Sequence, residues 1–548
     1  MTSTHPSAER QASPSPPTPP TAAARPSASA RLLGWCDRHR RALFAGVFLV
    51  YLAGFNAQWR IISDSALSLT IARNIADGRG FTHPLGEHLR VNPGFPYLLA
   101  GLMEITGTTD PDGLWLAVSL VTGVALSSLA LAYWLFHLHL DRPQAVLLTV
   151  MLGLSMPFYR YSFDLRADMF FLFGVMVFLV AWERFAQRHD ADRPHWPAAA
   201  PDALLLGAGV VIMVLLRTPA ITVLAAAVLA LAWHAVRRPT RRTLVIGAAG
   251  VALCAAALAV ALYSSGGGAD ADTLARSPAP TDFELIARRL TNLGAIFSNV
   301  PENAHRMFTD SVAEATIGIR PGPVPAVPIT LFALAAGLAL AWRRPLWGLL
   351  VFGFVAQMLL FLTAHRYFLP LLPLLLLGWW LAALWLERRL PRRWGTGALA
   401  FLIILWTVPN GIRSADFMLE QRARPFIEHF QDGRYVSLAQ FVRALDEAIE
   451  PGGVVLTDNR HVHTMIYFGG DLPIVTPRAY EAGLVRGQPA VDAPLYAIAP
   501  MGRTLRRLLR EEGWTLGAPV VEIERLDEDR PWRVLRIESR AADGPADR

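Results

Sequence analysis

"LLLGAGVVIMVLLRTPAITVLAAAVLALAW", residues 204–233, decides the fold. It is too long for one ordinary membrane span of roughly 20 residues and too short for two comfortable ones. Arg184, Arg188 and Arg193 precede it, and Arg237 and Arg238 follow it. Flanking arginines mark the cytoplasmic side of a span, so both ends belong there. The stretch therefore reads as a hairpin with its apex at Arg217-Thr218-Pro219. Each arm has about 14 residues, or about 21 Å at 1.5 Å per residue, against about 30 Å of hydrocarbon. The apex then lies below the outer surface, where an arginine is costly unless it faces a cavity or a partner. Arg217 is expected to have one.

The rest of the chain agrees. Of its 548 residues 53% are hydrophobic and only 17% charged, with a mean hydropathy of +0.33. Soluble proteins carry about 25% charged residues. Candidate spans fall near 42–58, 113–136, 144–160, 168–186, 203–216, 220–236, 243–263, 326–342, 346–363, 367–386 and 395–410, about eleven in all. With the N-terminus inside, the basic segments 31–41, 237–242, 342–345 and 387–394 all reach the cytoplasmic side. The formal charge of +7 comes from arginine alone, with no lysine in the chain, and the arginines sit in short loops between apolar runs. That distribution sets topology and does not describe a nucleic-acid partner. Cys36 and Cys254 form neither a disulfide framework nor a zinc motif.

Residues 1–30 are rich in Pro, Ser, Thr and Ala and read as a disordered cytoplasmic tail with no signal-peptide pattern. Residues 31–410 read as the transmembrane domain, with outer loops 60–112 and 264–325. The second loop contains "FELIARRLTNLGAIF" (283–297), whose apolar spacing predicts a helix on the membrane or over a cavity. A linker, 411–434, leads to 435–540, where helical periodicity in "SLAQFVRALDEAI" and "RTLRRLLREEG" alternates with the short apolar runs "GVVLTD", "PLYAIAP" and "WRVLRIE". That predicts a small extracytoplasmic α/β domain, followed by a tail, 541–548.

Several outer-face residues carry two readings each. In "SDSALSLTIARNIADGRGF" (63–81), Asp64 is either a helix cap or a functional carboxylate. Arg73 and Asp77 stand at i, i+4 spacing, and Gly78 is placed to end the helix. "VNPGFPYLLAGLMEITG" (91–107) reads as a turn into a short helix. "YSFDLRADMFFLF" (161–173) offers Asp164 and Arg166 as a surface ion pair and Asp168 as a cap or an active acid. In "TAHRYFLPLLPLLLL" (363–377), His365 and Arg366 lie at an outer boundary where topology needs no positive charge. His461 and His463 of "TDNRHVHT" have the alternation of a strand surface more than of a metal site.

Taken in order, the outer Asp, N-P-G-F-P-Y-L-L-A, L-R-x-D opening a span, L-L-R in a short hairpin and H-R-Y-x-L-P-x-x-P resemble the integral-membrane C-superfamily (GT-C) glycosyltransferases. The branch is that of protein O-mannosyltransferases and the lipid A aminoarabinose transferase, and the resemblance spans roughly 42–410. It implies a polyprenyl-phosphate sugar donor, used at the outer face of an inner or plasma membrane, and an acceptor hydroxyl on a glycan, glycolipid or protein. Asp64 takes the position of the essential outer aspartate, although Ser65 stands where many relatives have a second acid. Asp168, with Asp164 as its rival, takes the position of the second acid; Arg217 and Arg366, with His365 beside it, take those near the donor phosphate. The chemistry needs a base at the acceptor hydroxyl and cations at the phosphate, giving inversion. Asp64 and Asp168 could instead share Mg²⁺ or Mn²⁺, whose hard character suits carboxylates. An inactive binding or assembly protein of this fold and a lipid-linked glycan transporter are the alternative readings.

Overall fold

The computed structural model describes residues 28–57, 59–60, 63–83, 91–108, 114–189, 196–237, 294, 297–342, 344–361, 364–423, 434–458, 462–470, 472–481, 493–523 and 531–538. The N-terminal tail, the span at 243–263 and most of the loop helix at 283–297 lie outside them. Helices α1 (Ala28–Arg38), α2 (Arg40–Gly54), α3 (Ser63–Ala76), α4 (Gly94–Thr106), α5 (Trp115–His137), α6 (Arg142–Gly153) and α7 (Met156–Tyr161) come first. They are followed by α8 (Ala167–His189), α9 (Trp196–Leu216), α10 (Ala220–Arg237), α11 (Val300–Arg306) and α12 (Val312–Ile317). The bundle ends with α13 (Pro323–Ala339), α14 (Pro345–Leu360), a 3₁₀ turn (His365–Leu371), α15 (Leu372–Arg389) and α16 (Arg392–Ala423).

Among the described residues, five helices are long and apolar enough to cross a membrane: Trp115–His137, Ala167–Gln187, Pro323–Trp342, His365–Arg389 and Arg393–Arg422. Three shorter apolar ones are Ala200–Leu216, Ala220–His234 and Pro345–Leu360. The first and second of these are the expected hairpin arms, with Arg217-Thr218-Pro219 between them. The stretch expected as one span at 144–160 is instead broken at Leu154–Ser155 into α6 and α7, where Pro157 can enter a new first turn but not continue a helix. Helix α8 packs closely along α9 because each offers a glycine where the other brings a side chain. A Cβ at Gly209 would stand 3.0 Å from Phe178, and one at Gly174 2.9 Å from Ile212.

Helix α16 does not stop near 410 but runs on through the first part of the stretch read as linker, with Pro409 inside it. The next residue, Asn410, is 1% exposed and ties three elements together. Its Oδ1 accepts from Met156 N (2.8 Å), while Nδ2 donates to Thr316 O (2.8 Å) and to Trp406 O one turn back in α16. Asn410→Leu would orphan Met156 N and Thr316 O, at about 1–3 kcal/mol for each buried group. The expected result is a clear fall in the thermal midpoint of the detergent-solubilised protein.

The C-terminal residues build an α/β unit with its own core: α17 (Arg434–Ala448), β1 (Val454–Leu456), α18 (Val462–Gly469), β2 (Ile474–Val475), α19 (Pro477–Glu481), β3 (Leu495–Ala499), α20 (Arg503–Glu511), β4 (Thr515–Ile523) and β5 (Trp532–Glu538). The sheet order is β2-β1-β3-β5-β4, parallel through β2-β1-β3 and antiparallel at β5 and β4. Strand β4 has no clear sequence signal because Gly517 and Pro519 interrupt it; Pro519 is tolerated on an edge strand, where the register shifts. Asp458 accepts from Gly502 N (2.6 Å) and Leu505 N (3.0 Å), closing the N-terminus of α20.

Candidate active site

Asp64 lies in the first turn of α3 and Asp168 in the first turn of α8, where a helix dipole favours a carboxylate. Capping is not what their side chains do. Asp64 Oδ2 forms an ion pair with Arg366 Nη1. Asp168 Oδ1 forms an ion pair with Arg217 Nη1. Tyr367 links the two pairs: its Oη accepts from Arg366 Nη2 (3.1 Å). Its ring lies under both guanidinium groups, 5.0 Å from that of Arg366 and 5.5 Å from that of Arg217. Asp64, Arg366, Tyr367, Arg217 and Asp168 thus form one continuous chain of contacts between residues far apart in sequence.

The local folds that aim these groups follow from the motifs. Asn92 of N-P-G-F-P donates Nδ2 to Val214 O (2.8 Å), and its Oδ1 accepts from Thr218 Oγ1 (3.2 Å). It therefore clamps the turn between α9 and α10 from both sides of Arg217. Gly94 lets α4 start against that turn, since a Cβ there would stand 2.7 Å from Leu215 O. On the other side, His365 holds the H-R-Y turn: Nε2 lies 2.8 Å from Tyr161 Oη, and Nδ1 lies 3.4 Å from Glu314 Oε2. Glu314 in turn accepts from Arg320 Nε (2.7 Å). His365, expected beside the phosphate arginines, faces this neighbouring network instead.

Asp164 leaves the cluster. It is 1% exposed and pairs with Arg60 (3.3 Å), so the expected Asp164–Arg166 pair does not form. Arg166, two residues on, lies 5.8 Å from the Tyr161 ring. Among the described residues it makes no ion pair. The expected Arg73–Asp77 pair is also absent. Asp77 pairs with Arg79 (3.6 Å), while Arg73 donates to Tyr467 O (3.1 Å) and lies 4.5 Å from that ring, docking the α/β unit on α3. His461 lies outside the described residues, and the ring of His463 packs on His83 at 5.3 Å. Tyr367, Tyr161, Glu314 and Arg60 are not among the residues that the sequence singles out. Only the first has a signal there, as the Y of H-R-Y.

Burial pushes the Asp64 carboxyl up, but Arg366, Arg166 and Arg217 together pull it further down, so it rests below the usual carboxylate range. No group of three or more His, Cys, Asp or Glu suited to a metal ion occurs among the described residues. Asp64 and Asp168 each pair with an arginine, so Mg²⁺ or Mn²⁺ would have to displace Arg366 and Arg217 from these oxygens, with water and donor phosphate completing its shell.

Comparison with known proteins agrees with the class of this architecture. Residues 83–263, about a third of the chain, match the family described as dolichyl-phosphate-mannose-protein mannosyltransferase. That stretch holds Asn92, Asp164, Asp168 and Arg217, but not Asp64 or Arg366. The crystal structure of ArnT from Cupriavidus metallidurans, bound to undecaprenyl phosphate, shares the fold. The TM-score is 0.55 at 13% identity, over 93% of this chain and 99% of that one. The Archaeoglobus fulgidus oligosaccharyltransferase, tethered with an acceptor peptide containing the NVT sequon, aligns at a TM-score of 0.48 and 12% identity, over 94% of this chain and 76% of that one. Among the curated proteins none matches the chain. The resemblance to the C-superfamily glycosyltransferases read from the motifs is borne out, and the chain is a multi-pass membrane protein with that fold.

Proposed function

We propose that this protein is a membrane glycosyltransferase that moves a sugar from a polyprenyl-phosphate donor to an acceptor hydroxyl at the outer face of the cell membrane. The observation that carries the reading is the Asp64–Arg366–Tyr367–Arg217–Asp168 chain. An arginine at membrane depth is expensive, and here Arg217 meets a carboxylate beside a second arginine–carboxylate pair at the same end of the bundle. The acceptor oxygen attacks the anomeric carbon from the face opposite the phosphate, its proton passes to Asp64, and the C1–O bond to phosphate breaks with inversion. The electron pair leaves on the polyprenyl phosphate, where Arg366, Arg217 and Arg166 offset the growing charge. Asp168 holds Arg217 in place. The N-terminus is cytoplasmic and the α/β unit extracytoplasmic in this reading, which fits its docking on α3.

The test is transfer of radiolabel from a panel of polyprenyl-phosphate sugars in membranes containing the protein. The expected result is consumption of one donor with label appearing in a glycan, glycolipid or protein. No consumption of any donor would favour the binding or transport reading.

A further inference from the structure

The end of the bundle away from the carboxylate–arginine chain holds a second feature that glycosyl transfer does not use. Helix α15 runs from the H-R-Y turn to Arg388 and Arg389, roughly 30 Å at helical rise. There, between the α5–α6 connection and the last turns of α15, lies a cleft of about 460 Å³. That is within the roughly 300–1,000 Å³ of small-molecule sites. One wall is apolar, made by Leu381, Leu384 and Trp385. Trp385 is 58% exposed, as an aromatic at a membrane boundary commonly is. The opposite wall, from the α5–α6 connection, is polar, with Asp141 and Gln144, and Arg388 stands one turn beyond Leu384 on α15.

His139 anchors the polar wall from below. Its Nε2 lies 3.2 Å from Glu183, which is 1% exposed and also engages Arg344 at 3.3 Å, and its ring packs edge-on against Trp347 at 4.6 Å. The cleft is therefore built on a buried, ion-paired base. Its rim groups are not spent in the same way. Asp141 stands at the N-cap of α6 but makes no side-chain cap bond. Among the described residues, neither Asp141 nor Arg388 makes an ion pair with the other or with any third group. A carboxylate and a guanidinium share one cleft without neutralising each other.

We propose that this cleft binds a phospholipid whose headgroup carries both a phosphate and a primary ammonium, as phosphatidylethanolamine does. Arg388 takes the phosphate, Asp141 the ammonium, and the Leu381–Leu384–Trp385 wall the start of the acyl chains. Basic pockets at the ends of membrane helices hold lipid headgroups. A purely anionic headgroup would set its charge against Asp141, and like-charge contacts are costly. A quaternary ammonium has no N–H to give Asp141.

The test is native mass spectrometry of the delipidated full chain in detergent, titrated with phosphatidylethanolamine, phosphatidylglycerol or phosphatidylcholine. One phosphatidylethanolamine should be retained per chain, more tightly than either other lipid. Arg388→Ala should weaken it about tenfold, and Asp141→Asn should move the preference toward phosphatidylglycerol. Arg413→Ala, at the other end of the bundle, should change nothing, and thermal midpoints should confirm that the variants fold. Phosphatidylglycerol bound as well as phosphatidylethanolamine, or retention indifferent to both cleft substitutions, would overturn the proposal. So would displacement by soluble glycerophosphoethanolamine at the concentration of the intact lipid, since the site would then take a free headgroup.

Discussion

Asp64→Asn is expected to lower kcat for sugar transfer by about 10²–10⁴-fold, the usual worth of a positioned general base. Donor affinity should hold or tighten. The carboxylate occupies Arg366, and an amide would leave that guanidinium freer for the donor phosphate. A residue that only stabilised α3 would lose thermal midpoint and leave kcat in place, so the two roles separate cleanly. The pH dependence carries the same logic. In the free enzyme the Asp64 carboxyl lies below its ordinary value, held there by Arg366 and two further arginines against the upward push of burial. The ionised base is then present at neutral pH and is lost only as pH falls through that depressed value. When donor phosphate takes Arg366, the carboxyl loses its main counter-charge and its pKa rises. The acid limb of kcat, which reports the substrate complex, should therefore lie at higher pH than that of kcat/KM for the donor. Coincident limbs would mean that Arg366 does not leave Asp64 when donor binds.

Charge placement alone makes the hairpin legible in the sequence. Arginines on both flanks of 204–233 force both ends to one side, and the short arms put Arg217 where it needs a partner. Which partner is not legible. Arg217 and Asp168 are 49 residues apart, and Arg366 and Asp64 are 302 apart, and no local periodicity reports such pairs. Asp164 and Asp168 illustrate the limit. Both precede the same span and both suit the motif, yet a short loop turns the first inward to Arg60 and leaves the second in the first turn of α8, facing Arg217. The expectation for Arg166 fails for the same reason, since neighbours in sequence invite a local ion pair that the turn forbids. The continuation of α16 past 410 is masked by Pro409, which ordinarily breaks a helix but here is followed by an asparagine satisfied on three sides. Tyr367 belongs to the H-R-Y motif, but its position between two guanidinium groups is a product of the 3₁₀ turn.

The Arg217–Asp168 pair yields the second large effect, because its stabilising and catalytic roles can be pulled apart. The side chains of Asp168 and Arg217 are 6% and 20% exposed. Arg217→Leu alone leaves a buried carboxylate with no counter-charge, a change that typically costs about 3–5 kcal/mol. The expected result is a large drop in thermal midpoint together with loss of transfer. Adding Asp168→Asn removes the stranded charge, and the double variant should recover most of that stability. Buried ion pairs are often no more stabilising than a neutral replacement, so recovery is the physical expectation. Transfer should not recover with it. The cation that offsets charge on the departing phosphate would still be missing, a loss of about 10²–10³-fold by analogy with removing one transition-state donor. Measuring both quantities for both single variants and the double closes the cycle. A double variant that is stable but inactive assigns Arg217 to the phosphate. One that is stable and active leaves the pair as a strut between α8 and the hairpin, and the phosphate then rests on Arg366 and Arg166 alone.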